Sequence, residues 1–343
     1  MSKRVLVVGA GGFAGGFICD ECLRRGYKVW AGVRHSTSRV YLHDERLKFV
    51  SLDFEAPETI AQTLRETLNE CGEERWDYII YNLGATKCLN FSDFNKINYE
   101  YLRYFTDAVK QSGVIPEKLL YISSLSAMGE GDERGYAPFN EKMIPNPNTR
   151  YGTSKLKAEM WLATCGIPTI VFRATGIYGP RDKDYFLMFK SISRGVDFSV
   201  GFRRQVLSFL FVEDLARACC DALEKAPAGS TYIVGEPCSY TQKEFRKLMA
   251  ASLNKKWVLP VRLPLAAVKL VSGIAEKIGV AKGKPSTLNS DKYRIMAQRN
   301  WNIDISRARE DFGFEPRVSL EEGIRRCVEW YEKEGWLSPR RKK

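Results

Sequence analysis

Val5-Leu6-Val7-Val8-Gly9-Ala10-Gly11-Gly12-Phe13-Ala14-Gly15 stands near the start of the chain, and its reading decides the fold. Four consecutive β-branched or leucine residues read as a strand buried on both faces, as in a parallel sheet. Glycines at 9, 12 and 15 then allow a sharp turn into a helix expected from about Gly12 to Arg25, stopped by Gly26. Bare amides at that helix start can approach a pyrophosphate, and the helix dipole favours its negative charge. A glycine triplet alone is ordinary turn chemistry. A strand before it and a helix after it make the signal specific.

Working outward, the alternation continues. Strands are expected at Lys28 to Val33, about Leu47 to Leu52, Tyr78 to Asn82, Leu119 to Ser123 and Ile167 to Phe172. Helices are expected at about Pro57 to Cys71, then one with Asn98 near its start and its end near Ser112-Gly113, then Tyr151 to about Cys165. This is the pattern of an α/β doubly wound parallel sheet. Gly129 to Asn148 reads as a polar loop. Beyond Pro180 the alternation loosens: Asp182 to Gly195 is mixed apolar and basic, Phe209 to Asp214 leads into a helix to about Glu224, and Tyr232 to Val234 suits a short strand. Leu263 to Val280 reads as an apolar helix with Ala267, Leu270, Val271, Ile274 and Ile278 on one stripe. Packing against the main domain is the first reading of that stripe. A lid over an apolar substrate, or a helix lying on a membrane surface, is the other. A final amphipathic helix covers about Leu320 to Tyr331.

Open parallel sheets place ligands at the carboxyl ends of their strands. The second strand ends at Val33 with Arg34 and His35 and no acid to read a ribose hydroxyl. Arg34 can pair with a 2′-phosphate bidentately, which favours NADP(H) and leaves NAD(H) open. Asp53-Phe54 ends the third strand; the carboxylate can accept from an adenine amino group or cap the next helix. Leu83-Gly84-Ala85 is a small-residue turn past which a cofactor can run. Ser123 and Ser124 end the fifth strand, where a hydroxyl can donate to a substrate oxygen, or serve as a turn. Tyr151 and Lys155 are four apart, hence on one helix face, and no other tyrosine has a lysine four residues later. A nearby ammonium favours a phenolate and draws a phenol of pKa about 10 toward the working range.

Bulk properties exclude several classes. The 343 residues are 44% hydrophobic and 27% charged, enough for one large domain or a domain with a smaller lobe. The net charge of +12 is spread along the chain without zinc-finger or RNA-binding spacing, so no nucleic acid partner is expected. An anionic membrane surface and a homodimer stay open as partners beside a small-molecule substrate. Nine scattered cysteines read as free thiols in a reducing, cytoplasmic setting. Cys19 and Cys22 lack a second pair or a nearby histidine, so they read as core residues, and no metal site is expected. No stretch is long and apolar enough to span a bilayer.

Taken in order, the chain resembles the extended short-chain dehydrogenase/reductases, the NAD-dependent epimerase/dehydratase family. The matching residues are Gly9/Gly12/Gly15, Asp53, Asn98, Ser123-Ser124, Tyr151-x-x-x-Lys155, Arg173 through Tyr178-Gly179-Pro180, Phe211 to Asp214, Asp304 to Phe314 with Pro316, and Leu320 to Gly323. The resemblance implies a Rossmann domain over 1–180, with parts of 205–235 returning to it, a mainly substrate-binding lobe over 181–335, and a basic tail over 336–343. It implies a catalytic set of Ser124, Tyr151 and Lys155, with Asn98 supporting the lysine through a water and Ser123 near the nicotinamide. The candidate cofactor contacts are Gly9, Gly12, Phe13, Ala14, Gly15, Arg34, Asp53, Phe54, Leu83, Gly84, Ala85, Ser123, Tyr151, Lys155, Ala174 and Ile177.

Sugar-nucleotide members of that family usually carry an asparagine two residues before the Tyr-Gly-Pro, where this chain has Gly176, and its dehydratases an acid pair where it has Leu125-Ser126. With Arg34 and the apolar segment near residue 270, this looks more like the 3β-hydroxysteroid dehydrogenase and dihydroflavonol reductase branches. The expectation is an oxidoreductase interconverting a secondary alcohol and a ketone on an apolar, sterol-like or keto-lipid substrate. A nucleotide-sugar epimerase or dehydratase with tightly held NAD is the alternative, and a non-catalytic redox sensor a more remote one.

Overall fold

The computed structural model describes residues 2–284, 286 and 288–339. The basic cluster at 340–343 lies outside them. Seven strands form one sheet: β1 (Arg4–Val8), β2 (Lys28–Val33), β3 (Lys48–Ser51), β4 (Tyr78–Tyr81), β5 (Lys118–Ser124), β6 (Thr169–Ala174) and β7 (Ser230–Val234). Their order is β3-β2-β1-β4-β5-β6-β7, and every pair is parallel. The order reverses at β1, which puts a crevice at the carboxyl ends of β1 and β4.

Strand β1 shows why the sheet is buried on both sides. Val5 and Val7 enter the core on one face and Leu6 and Val8 the core on the other. The first face is covered by helix Phe13–Arg24 and helix Val212–Lys225, where Cys22 Sγ lies 3.5 Å from Cys220 Sγ. Cys19 and Cys22 are buried core residues. The second face is covered by helices Ile60–Glu70, Tyr101–Ser112 and Arg150–Leu162, through Leu64, Phe105 and Leu162. A separate core around Tyr178, Phe189, Phe209, Phe245, Leu320 and Tyr331 holds the C-terminal segments together.

Several boundaries differ from the sequence reading. The sixth strand runs Thr169–Ala174, not 167–172: Pro168 has no N–H to give the ladder and joins it only through its carbonyl, which accepts from Leu119 N at 2.8 Å, so full pairing starts at Thr169. Asn98 does not sit near a helix start. It lies inside a π-helical stretch, Lys96–Glu100, between helices Phe91–Asn95 and Tyr101–Ser112. Residues 183–193 form a helix capped by Asp182, whose carboxylate accepts from Asp184 N and Tyr185 N.

The largest correction concerns helix Leu265–Ala281. Its apolar stripe does not pack against the main domain. Ala267, Leu270, Val271, Ile274 and Ile278 are exposed, and the buried residues are Val268, Ser272 and Gly279. The small face packs because the following chain crosses it closely: a Cβ on Gly279 would lie 2.8 Å from the carbonyl oxygen of Lys284. No helix among the described residues is long and apolar enough to cross a membrane.

Candidate active site

The glycine turn leads from β1 into helix Phe13–Arg24. Gly9 has φ +83°, and a Cβ there would lie 2.8 Å from Leu83 N. A Cβ on Gly15 would lie 2.3 Å from the Gly9 carbonyl oxygen, so only glycine lets helix and turn approach this closely. Gly12 is the N-cap, with no side chain bonded to the helix start and no acid in the first turn. The positive end of the helix thus faces a cleft of about 230 Å³ lined by Gly9, Gly11, Gly12, Arg34, Phe54, Leu83 and Gly84. Gly32, Val33, Thr37, Leu52 and Asn82 complete the lining. The sequence reading missed these five and Gly11; for Gly32, Val33, Leu52 and Asn82 the place at a strand end was the available signal. The cleft fits a dinucleotide: bare amides for a pyrophosphate, apolar Leu52 and Phe54 beside Arg34 at one end, and a turn at Leu83-Gly84 at the other.

Other expected contacts sit differently. Asp53 is exposed and does not line the cleft; its carboxylate accepts from Glu55 N at 2.9 Å, so it shapes a local turn and caps no helix. Phe13 and Ala14 form the first helical turn, and Ala14 is buried. Ala174 ends β6, and Ile177 lies in a short strand, Gly176–Tyr178, paired with Phe209–Phe211.

Helix Arg150–Leu162 carries Tyr151 and Lys155. Thr149 caps it, accepting from Gly152 N at 2.9 Å. A second acceptor comes from far along the chain: Asp291 on helix Ser290–Ala297 takes the backbone N–H of Tyr151 at 2.9 Å. No sequence signal marked Asp291. The Tyr151 ring lies 6.3 Å from that of Phe94, and the Ser124 side chain is close enough to the phenol to favour its charged form. Lys155, one turn on, is buried and donates to the Ile122 carbonyl at 2.8 Å, its ammonium 4.6 Å from the Tyr121 ring centre. A Cβ on Gly84 would lie 3.2 Å from Lys155 Nζ and 3.1 Å from Asn98 Oδ1, which joins the cofactor cleft to the lysine.

The electrostatics differ from the simple expectation. Burial raises the Tyr151 phenol above its ordinary pKa, and the neighbouring Ser124 side chain only partly offsets this. Burial also pulls Lys155 down to about 7, against a smaller upward pull from Glu159. Desolvation is the largest influence on both groups.

Ser123 and Ser124 separate because adjacent strand residues point to opposite faces. Ser124 reaches Tyr151. The Ser123 hydroxyl donates to Glu159, which is ion-paired at 2.7 Å with Arg173. Asn98 is fully buried. Its amide donates to Ala85 O at 3.0 Å and Ser154 Oγ at 2.9 Å, and it accepts from Ala85 N at 2.7 Å. These bonds tie Ala85 of the 83–85 turn to Ser154 of helix Arg150–Leu162. No group of His, Cys, Asp or Glu suited to a metal occurs among the described residues.

Comparison with known proteins gives the following. The family model for the NAD dependent epimerase/dehydratase family matches residues 5–235. The chain is 25% identical to a UDP-glucose 4-epimerase of Vibrio cholerae over 340 residues, 96% of this chain and 95% of that one. It is 22% identical to a ceramide reductase of Caulobacter vibrioides over 335 residues, 97% and 96% of the two chains. A dTDP-glucose 4,6-dehydratase from Bacillus anthracis, solved in complex with NAD, superposes with a TM-score of 0.76 at 22% identity, covering 98% of this chain and 99% of that one, and so shares its fold.

Proposed function

The chain belongs to the NAD dependent epimerase/dehydratase family, and from that membership we propose that Ser124, Tyr151 and Lys155 move a proton while a carbinol or carbonyl carbon is oxidised or reduced. The observation that carries this is the Tyr151 phenol beside Ser124, with Lys155 one helical turn on and its ammonium against Gly84 of the glycine-lined cleft. A bound nicotinamide supplies the hydride chemistry. Tyr151 gives its proton to the substrate oxygen in reduction and takes it back in oxidation. Ser124 donates to the same oxygen as charge builds on it. Lys155 holds the ribose side of the cleft and, when charged, eases loss of the Tyr151 proton. Arg34 in the cleft wall, without an acid at the end of β2, supports NADP(H) over NAD(H).

For the substrate, similarity to the V. cholerae epimerase over nearly both full lengths supports a nucleotide sugar, turned over with a retained NAD. One observation favours a second reading, a ketone on an apolar substrate. The position two residues before Tyr178-Gly179-Pro180, where the sugar-nucleotide members usually carry asparagine, is Gly176, and the Tyr185 hydroxyl fills the space above it. Similarity to a ceramide reductase supports the same reading. The deciding experiment takes the purified full-length protein. Its absorbance reports retained nicotinamide; NADPH and NADH are then titrated, and UDP-glucose, dTDP-glucose and long-chain ketones are offered. Retained NAD with sugar conversion supports the first reading. Tighter NADPH binding with NADPH consumption on ketones supports the second. Binding of neither nicotinamide overturns the catalytic assignment.

A further inference from the structure

Helix Leu265–Ala281 turns its apolar side to the outside. Leu270, Val271, Ile274 and Ile278 are 66%, 52%, 50% and 49% exposed, and their spacing puts them on one face. The strand feeding this helix, Leu259–Leu263, is preceded by Trp257, which is 69% exposed. A contiguous exposed apolar face of this kind marks an interaction site.

Charge identifies the partner. Between 253 and 284 the chain carries seven lysines and arginines and one acid, Glu276. All seven bases are exposed, Lys269 and Lys277 on the helix itself, and none enters an ion pair among the described residues. The single acid is turned inward: Glu276 pairs with Arg150 at 2.7 Å and accepts from Ser290 N at 3.1 Å. The outer surface of this segment is therefore apolar, and its exposed charges are all cationic. A two-fold contact with a second copy would set like charges against each other. Nucleic acid would leave the apolar stripe in water.

We propose that this face docks peripherally on an anionic phospholipid bilayer. The stripe enters the headgroup boundary, and the surrounding lysines and arginines meet the lipid phosphates. The helix lies on the surface and does not cross it. It is tied to the active site twice, by Glu276 to Arg150 at the start of the catalytic helix and by Ser290, whose neighbour Asp291 holds Tyr151 N. Docking therefore places the catalytic helix next to the membrane. The inference stands on the surface alone and does not depend on which substrate is turned over.

The test is sedimentation of the full-length protein with phosphatidylcholine vesicles, with and without phosphatidylglycerol, at low and high salt. Co-sedimentation should require phosphatidylglycerol and weaken at high salt. Leu270→Asp with Ile274→Asp should lower partitioning by about tenfold or more, and Lys269→Glu with Lys277→Glu by a similar factor. Both double variants should keep cofactor affinity and the wild-type circular dichroism. Should either fail to fold, hydrogen exchange on the wild type replaces it: vesicles should protect 265–281. Wild type that ignores phosphatidylglycerol, an apolar variant that still sediments fully, or protection only elsewhere would overturn the proposal. So would a vesicle-free dimer that the Leu270→Asp, Ile274→Asp variant converts to monomer, which assigns the face to a second copy.

Discussion

The hydroxyl of Tyr185 stands where a side chain on Gly176 would begin: a Cβ built on Gly176 would lie 2.1 Å from that oxygen and 3.3 Å from the ring carbon that bears it. The turn after β6 and helix Lys183–Ser193 are thus fitted to each other through a missing side chain.

Gly176→Ala should destabilise the protein by about 1–3 kcal/mol through overpacking. In a Tyr185→Phe background the clashing oxygen is gone, and most of that penalty should disappear. Urea unfolding of the four proteins in a double-mutant cycle measures the coupling. An equal penalty in both backgrounds would show that Tyr185 is not the obstacle.

Tyr151→Phe should lower turnover by about 10²-fold or more, the scale of a lost general acid. Affinity for the nicotinamide should stay nearly unchanged, because the glycine-lined cleft does not use the phenolic oxygen. Single-turnover kinetics and cofactor fluorescence check the two halves. Activity near wild type would remove Tyr151 from the mechanism.

Lys155 has its pKa pulled down to about 7 by burial. It is charged below that pH and neutral above it. Reduction measured as kcat/KM should therefore fall as pH rises through about 7 if the ammonium assists Tyr151, and the slower Lys155→Met enzyme should lack that limb. The stability sign is the reverse. An unfolded lysine keeps its proton to about pH 10.4, so between about 7 and 10 the unfolded state binds more protons and stability rises with pH. Melting curves of wild type and Lys155→Met should diverge in favour of wild type over that window; parallel curves would place the titration elsewhere.

Glu159 and Arg173 have side chains only 7% and 9% exposed and are paired at 2.7 Å. Glu159→Ala leaves a buried guanidinium without its partner and should cost about 3–5 kcal/mol. Removing both charges, with Arg173→Met, should recover part of that loss. Denaturant midpoints decide it, and an unaffected Glu159→Ala protein would mean that water reaches Arg173.

Much of this was legible in the chain itself. The order of strands and helices, the glycine turn at 9–15 and the shared face of Tyr151 and Lys155 follow from periodicity and turn chemistry, which act over a few residues. The choice between Ser123 and Ser124 needed the strand's direction as well as its existence, since alternate residues face opposite sides. Asp291 on the Tyr151 amide joins positions 140 apart, and no local pattern announces it. Asn98 bears on the site through three hydrogen bonds of its side-chain amide that exist only once the 83–85 turn meets helix Arg150–Leu162.

The sequence by itself determined the α/β order and the residues able to do chemistry, because those are properties of short segments. Only the tertiary structure decided that burial lowers Lys155 and raises Tyr151, that Tyr185 fills the space over Gly176, and that the stripe of Leu265–Ala281 faces outward. Desolvation and packing depend on what distant segments bring against a residue, and the pattern along one helix is the same whether its apolar side meets a core or the outside.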